Sequence, residues 1–238
     1  MSKQKVLAVL GAGPGLGRAI ALRFAREGYA VALLARHKEK LESIAREIDD
    51  IGSDSLAVAV DGTAADSVKN AFAEIRDGLG DPTVLAYNAG IFQLGGVLEL
   101  TPETFEQSWR VNCFGAFLAA REVLPAMQSR GSGTIILTGA TAAMRGGAGF
   151  SGIAVGKFGL RALAQSMARE FGPQGIHVAH AVIDGQINTE RVREMNPGRE
   201  DHTLLAPAAI AEAYWQLHTQ DATAWTQELD LRPAVEEF

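Results

Sequence analysis

The chain has 238 residues, 47% hydrophobic and 21% charged, which is enough apolar material for one sizeable core. Its formal net charge of −6, with basic residues scattered along the chain, argues against a phosphate-backbone footprint for DNA or RNA. The single cysteine, Cys113, cannot form an internal disulfide, no Cys or His pair stands at metal-ligand spacing, and no apolar run approaches the roughly 20 residues of a bilayer span. The expectation is a protein with no metal, off the membrane, in a reducing cytoplasm.

In chain order, strand-like apolar runs fall at 6–10, 30–35, 56–60, 84–87, 134–138 and 177–183, and a last strand is expected at 228–231. Helical patterns alternate with them at 16–27, 38–51, 65–78, 103–129, 151–171 and 207–219. Runs such as Ala30-Val31-Ala32-Leu33-Leu34 are apolar without alternation, which suits strands buried on both faces of a parallel sheet. Thr101-Pro102-Glu103 reads as a helix start, with a capping threonine, proline at the first helical position and an acid in the first turn. The pattern predicts an α/β fold: 1–238 as a single doubly wound Rossmann-type domain, its parallel sheet of about seven strands flanked by helices, with the ligand site at the strands' carboxyl ends.

The first strand runs into Gly11-Ala12-Gly13-Pro14-Gly15-Leu16-Gly17 and then into a helix face formed by Leu16, Ile20 and Phe24. Such a turn lets backbone approach a pyrophosphate, and the helix behind it offers free N–H groups and a partial positive charge. The fingerprint GxGxxG fails at Leu16, whereas GxxxGxG fits Gly11, Gly15 and Gly17. A tight βα turn is the plain alternative for glycines alone, but the strand–turn–helix context favours a dinucleotide site at Gly11, Gly13, Gly15, Leu16 and Gly17. At the end of the second strand, where an acid would select NAD, the chain has Ala35-Arg36-His37-Lys38. A guanidinium at Arg36 suits a 2′-phosphate, so NADP(H) is favoured over NAD(H); the competing reading is that Arg36 and Lys38 open an exposed helix.

Together these residues resemble the short-chain dehydrogenase/reductase family over nearly the whole chain. Gly11, Gly15 and Gly17 match its glycine motif, Asp61 its adenine-contacting aspartate, and Asn88-Ala89-Gly90 its turn after the fourth strand. The resemblance further implies that Asn112 helps position a water in the proton relay, that Lys157 binds the nicotinamide ribose hydroxyls, and that Thr189 contacts the carboxamide. It implies self-association as a homodimer or homotetramer through the two long helices, and a covering segment for substrate at 190–206.

The catalytic pair departs from that pattern. The family's tyrosine, four residues before the lysine, is Ile153 here, and its serine, thirteen residues earlier, aligns with Ala140, with Thr138 and Thr141 close by. The 175–185 segment is one residue longer than the pattern, and Asp184 stands in the usual proline position. Ile153 cannot donate a proton, and loss of a positioned general acid costs on the order of a hundred- to ten-thousand-fold. Substitutes are Asp184, whose plainer reading is a turn or cap, and His202 in the covering segment; His180 reads as a satisfied core histidine and Ser151 as pointing away from the tyrosine's face. The catalytic candidates that the resemblance implies are Asn112 and Lys157. The expected function is an NADP-binding oxidoreductase on an unknown small carbonyl or alcohol, with an atypical proton path. A non-catalytic NADP-binding sensor or regulatory subunit is the alternative, and a module that binds no nucleotide is a third.

Overall fold

The computed structural model describes residues 4–236. Seven strands, β1 (Val6–Leu10), β2 (Ala30–Ala35), β3 (Ser55–Ala59), β4 (Val84–Tyr87), β5 (Gly133–Thr138), β6 (Ile176–Ile183) and β7 (Glu228–Leu231), form one parallel sheet in the order β3-β2-β1-β4-β5-β6-β7. The helices are α1 (Leu16–Ala25), α2 (Glu42–Ile51), α3 (Ala65–Gly78), α4 (Pro102–Trp109), α5 (Gly115–Arg130), α6 (Ser151–Phe171), α7 (Glu190–Met195) and α8 (Pro207–His218).

Side-chain alternation along the strands divides the interior in two. Val6, Ala8 and Leu10 of β1, with Ala30, Ala32 and Leu34 of β2, face a core built with α3, α5 and α6. Leu7, Val9, Val31 and Leu33 face the opposite core, which takes in Leu16, Ile20 and Phe24 of α1, Ile44 and Ile48 of α2, and Tyr214 of α8. Both faces are thus covered, which is why the strands read as unbroken apolar runs. The strand order reverses at β1, whose neighbours are β2 and β4, so a crevice opens beyond the carboxyl ends of β1 and β4.

Two helices depart from the sequence pattern. The stretch expected at 38–51 starts as a separate turn, Lys38–Lys40, because fully buried Leu41 anchors the chain and leaves the charged residues before it outside. The stretch expected at 103–129 is broken by a π-helical turn, Arg110–Phe114, between α4 and α5. The Tyr87 hydroxyl donates to the Val111 carbonyl at 2.6 Å inside that turn, and Asn112 turns its amide toward Ile91. Tertiary hydrogen bonds therefore offset the disturbed helix ladder. Thr101 caps α4 by accepting from Thr104 N, with Pro102 and Glu103 in the first turn, as its sequence indicates.

Candidate functional site

The crevice past β1 and β4 begins at Gly11, whose φ of +97° suits glycine alone; a Cβ there would lie 2.4 Å from Ala89 N. The turns after β1 and β4 are consequently packed backbone to backbone. Asn88 locks them, its N–H donating to Leu10 O at 2.8 Å and its Nδ2 to Gly11 O at 3.0 Å. Gly13 faces open space, with no atom within 4 Å of a built Cβ, whereas Gly17 lies where a Cβ would stand 2.5 Å from Gly11 O. Each glycine thus has a different physical job. Helix α1 follows Gly15 without a side-chain cap and without an acid in its first turn, so its positive dipole end is not neutralised from within that turn, although Arg18 N is bonded to Gly13 O at 2.8 Å.

From Gly11 a cleft of about 320 Å³ runs past Gly13, Arg36, Asp61, Thr63 and Asn88 to Ile91. Asp61 accepts from Thr63 N at 2.9 Å and Thr63 Oγ1 at 2.7 Å. Those bonds, with a smaller contribution from the Arg36 charge, hold its carboxyl below the ordinary carboxylate range. Exposed Arg36 stands at the same end of the cleft. The residues brought together by this cleft are Gly11, Gly13, Arg36, Asp61 and Asn88-Ala89-Gly90. Leu16, by contrast, is buried in the core beside α1's other apolar residues, and Gly15 is covered by Thr189, whose Cγ2 would meet a Cβ at 2.7 Å.

At the inner end, Asn112 and Lys157 converge beneath Gly90: a Cβ there would lie 3.1 Å from Asn112 Oδ1 and 3.5 Å from Lys157 Nζ. Asn112 is wholly buried, receives Ile91 N at 3.3 Å, and donates to Ile91 O at 3.1 Å and Ser108 Oγ at 3.3 Å. Lys157 donates to the Thr138 carbonyl at 2.7 Å. Burial lowers its pKa to about 8, opposed by Cys113, whose own thiol burial pushes up. The lysine is therefore a cation in neutral solution that loses its proton in mild alkali.

Beside this polar pair the wall is apolar. Ile153 packs with Ala142 and Ala154, bordered by Ala140 and Phe150, and Phe150 meets exposed Phe92 edge to face at 6.0 Å. No hydroxyl comes from position 153 or 140. The neighbouring threonines are committed elsewhere: Thr138 Oγ1 pairs with the Tyr214 hydroxyl at 2.8 Å and Asn88 Oδ1 at 3.3 Å, and Thr141 Oγ1 donates to Asp184. Asp184 closes β6 and also pairs with Arg232 Nη1 at 3.3 Å, so it ties the Thr141 turn to the chain after β7. Ser151 donates to Gly95 O at 3.0 Å, consistent with its pointing away, and His202 is exposed beside Glu200. The 190–206 segment carries α7, capped by Thr189, and a network of Arg193 with Asn188 and Asp201.

Sequence reasoning passed over Thr63, Ser108 and the Thr138 carbonyl. The first had a signal, since an Asp two residues before a Thr is an Asx-turn pattern. Ser108 had one too, four residues before Asn112 on a helix. The Thr138 carbonyl had none, because a main-chain acceptor is written nowhere in a sequence.

A family model described as short chain dehydrogenase matches residues 5–200. A short-chain dehydrogenase/reductase of Armillaria gallica is 34% identical over 192 residues, 79% of this chain and 73% of that protein. A solved short-chain dehydrogenase from Rhodopseudomonas palustris superposes with a TM-score of 0.84 at 38% identity, covering 96% of this chain and 98% of that one. An alcohol dehydrogenase from Thermococcus sibiricus, complexed with 5-hydroxy-NADP, gives a TM-score of 0.89 at 28% identity, covering 98% of each chain.

Proposed function

This chain belongs to the short chain dehydrogenase family, and on that footing we propose that it is an NADP(H)-dependent oxidoreductase for a small carbonyl or alcohol, with a proton path that uses neither of the family's hydroxyl donors. The observation that carries this reading is the contrast within one crevice: a phosphate-ready glycine turn, Arg36, Asp61 and Lys157 are all present, while Ile153 and Ala140 line an apolar wall. The open space at Gly13 and the uncapped start of α1 fit a pyrophosphate, and Arg36 at the cleft mouth fits a 2′-phosphate through its fork of N–H donors. NADP(H), when bound, supplies or accepts the hydride. Lys157 offers an ammonium to ribose hydroxyls, Asn112 braces the Ile91 backbone above it, and the Ile153–Phe150 wall excludes water from the reacting centre. The 5-hydroxy-NADP of the Thermococcus sibiricus enzyme's complex supports a nicotinamide nucleotide, and Arg36 supports the phosphorylated form.

The test is a titration with NADPH and NADH by nicotinamide fluorescence, followed by a carbonyl and alcohol panel on the same samples. Preferential NADPH binding with turnover meets the proposal. Tight NADPH binding without turnover points to a sensor or regulatory subunit, and absence of binding overturns both.

We also propose self-association along α4, α5 and α6, where Phe105, Trp109, Phe117, Val155 and Phe158 are exposed to solvent in the single chain. Light scattering on a sizing column reads the assembly directly, and a monomer at all concentrations would sink it. Among the described residues no helix is long and apolar enough to cross a membrane.

A further inference from the structure

One buried ionisable cluster behind the crevice has no part in the reading above. His180, on β6, is fully buried, and its Nδ1 lies 3.0 Å from Glu228 Oε2 on β7. Glu228 is gripped from the other side by Arg161 of α6, through Nε and Nη2 at 2.7 Å each. An imidazole facing a carboxylate places its proton on Nδ1 and leaves Nε2 as a bare lone pair. Among the described residues that Nε2 has no hydrogen-bond partner, and it is pressed against Gly139, where a Cβ would lie only 2.4 Å away. A buried nitrogen left bare at such close range calls for a reason.

Its location supplies one. Gly139 directly follows Thr138, whose carbonyl is the acceptor for Lys157 Nζ, and Gly139 N donates to Ala181 O, next to His180, at 2.7 Å. Lys157 and Arg161 stand one turn apart on α6, so the helix is tied to β5 through the lysine and to β7 through the arginine, with the His180 ring filling the space on β6 between them. We propose that His180 is a positioning residue for Lys157: seated on Glu228 and wedged beneath Gly139, its neutral ring holds the Thr138 carbonyl in place and makes nucleotide affinity fall when the ring is protonated.

The charges that face the ring are Glu228 on β7 and Lys157 and Arg161 on α6. Burial lowers the imidazole below 6.5, Glu228 opposes that, and Lys157 and Arg161 add to it. Because the folded-state value is depressed, the unfolded chain binds the proton more readily. Stability is therefore full at neutral pH and declines as pH falls below 6.5, while lysine placement holds until the folded ring itself takes the proton, further to the acid side. The inference rests on Lys157 being the nucleotide-binding lysine, and its test separates the two ideas.

NADPH is titrated by fluorescence against wild type, His180→Asn and His180→Phe from pH 5 to 9. In parallel, the ¹³Cε signal of Lys157 is followed in lysine-labelled protein, assigned with Lys157→Arg. Melting curves at each pH confine the comparison to folded protein. In wild type, NADPH affinity should weaken on the acid side of 6.5, and Lys157 should show an acid-side step there beside its own titration. His180→Asn keeps an amide donor for Glu228 but cannot titrate, so the lysine step should vanish and the acid limb should shrink to what protonation of the nucleotide's own 2′-phosphate leaves. His180→Phe keeps the ring's bulk without the bond and should likewise lose the step. A merely structural histidine would lower melting temperature in both variants while wild type showed no step. Absence of the step in wild type, or its survival in His180→Asn, overturns the proposal. If NADPH binds at no pH, the cofactor reading fails, yet the lysine signal still decides the positioning role.

Discussion

The outer and inner ends of the crevice are built from opposite materials. At the outer end, Arg36, Asp61, Thr63 and the turn at Gly13 offer charge, hydrogen bonds and bare backbone to the cleft. At the inner end, Asn112 and Lys157 are buried and already bonded to Ile91 and Thr138 carbonyls, and the wall beside them is Ile153, Ala142 and Phe150. The outer end is equipped to hold an anion, while the inner end holds a single buried cation and offers no hydroxyl at positions 153 and 140. Nucleotide binding and proton delivery are thus separate physical tasks, and one fold can keep the first while altering the second.

The strongest way to break this contrast is to supply the absent hydroxyls. The double variant Ala140→Ser/Ile153→Tyr should raise carbonyl-reduction rate by about a hundred- to ten-thousand-fold with NADPH affinity little changed, measured as NADPH consumption on a ketone panel. A fall in rate in the folded variant would mean that the chain's own reaction needs the apolar wall intact.

Next in size is the lysine. With its pKa near 8, Lys157 should lose NADPH affinity as pH rises through that value, and Lys157→Met should bind weakly and without this alkaline limb. The folded pKa lies below the ordinary 10.5, so the unfolded chain holds the proton longer, and wild-type stability should rise with pH between about 8 and 10.5. Denaturant curves across that window check the sign, with Lys157→Met as the flat control.

At the outer end, Arg36→Ala should weaken NADPH by about tenfold or more and NADH hardly at all, because hydrogen bonds to a charged partner contribute roughly 1.5–3 kcal/mol. Equal weakening of both would remove the case for the phosphorylated nucleotide. Smallest is Ser108→Ala, which strips one bond from the Asn112 amide and should cost about 1 kcal/mol in stability by thermal melting, with Asn112 still held by Ile91.

The outer end was legible in the residues themselves. Gly11, Gly13, Arg36 and Asp61 stand in one stretch of chain whose strand–turn–helix rhythm places them, and strands such as β1 and β2 were readable because their apolar runs are buried on both faces. The inner end was legible only in part. Asn112 and Lys157 could be named, but the π-helical turn that aims Asn112 depends on Tyr87 and Ile91 from other segments. His180 read as a satisfied core residue and is satisfied on one nitrogen only, because Glu228 on β7 meets Nδ1 while the turn at Gly139 just after β5 closes over Nε2, and both lie far from it in sequence. Asp184, read as a turn or cap, instead bridges Thr141 and Arg232.

Local patterns, then, determined the strands, most of the helices, the glycine cradle and the two missing hydroxyls, since periodicity, turn chemistry and residue identity are properties of a short stretch of chain. Only the tertiary structure decided the strand order, the convergence of Asn112 and Lys157 beneath Gly90, and the pairing of His180 with Glu228 and Arg161. Those depend on which backbone carbonyls and side chains from distant segments are buried together, and burial is what gives a hydrogen bond or a charge its direction and its cost.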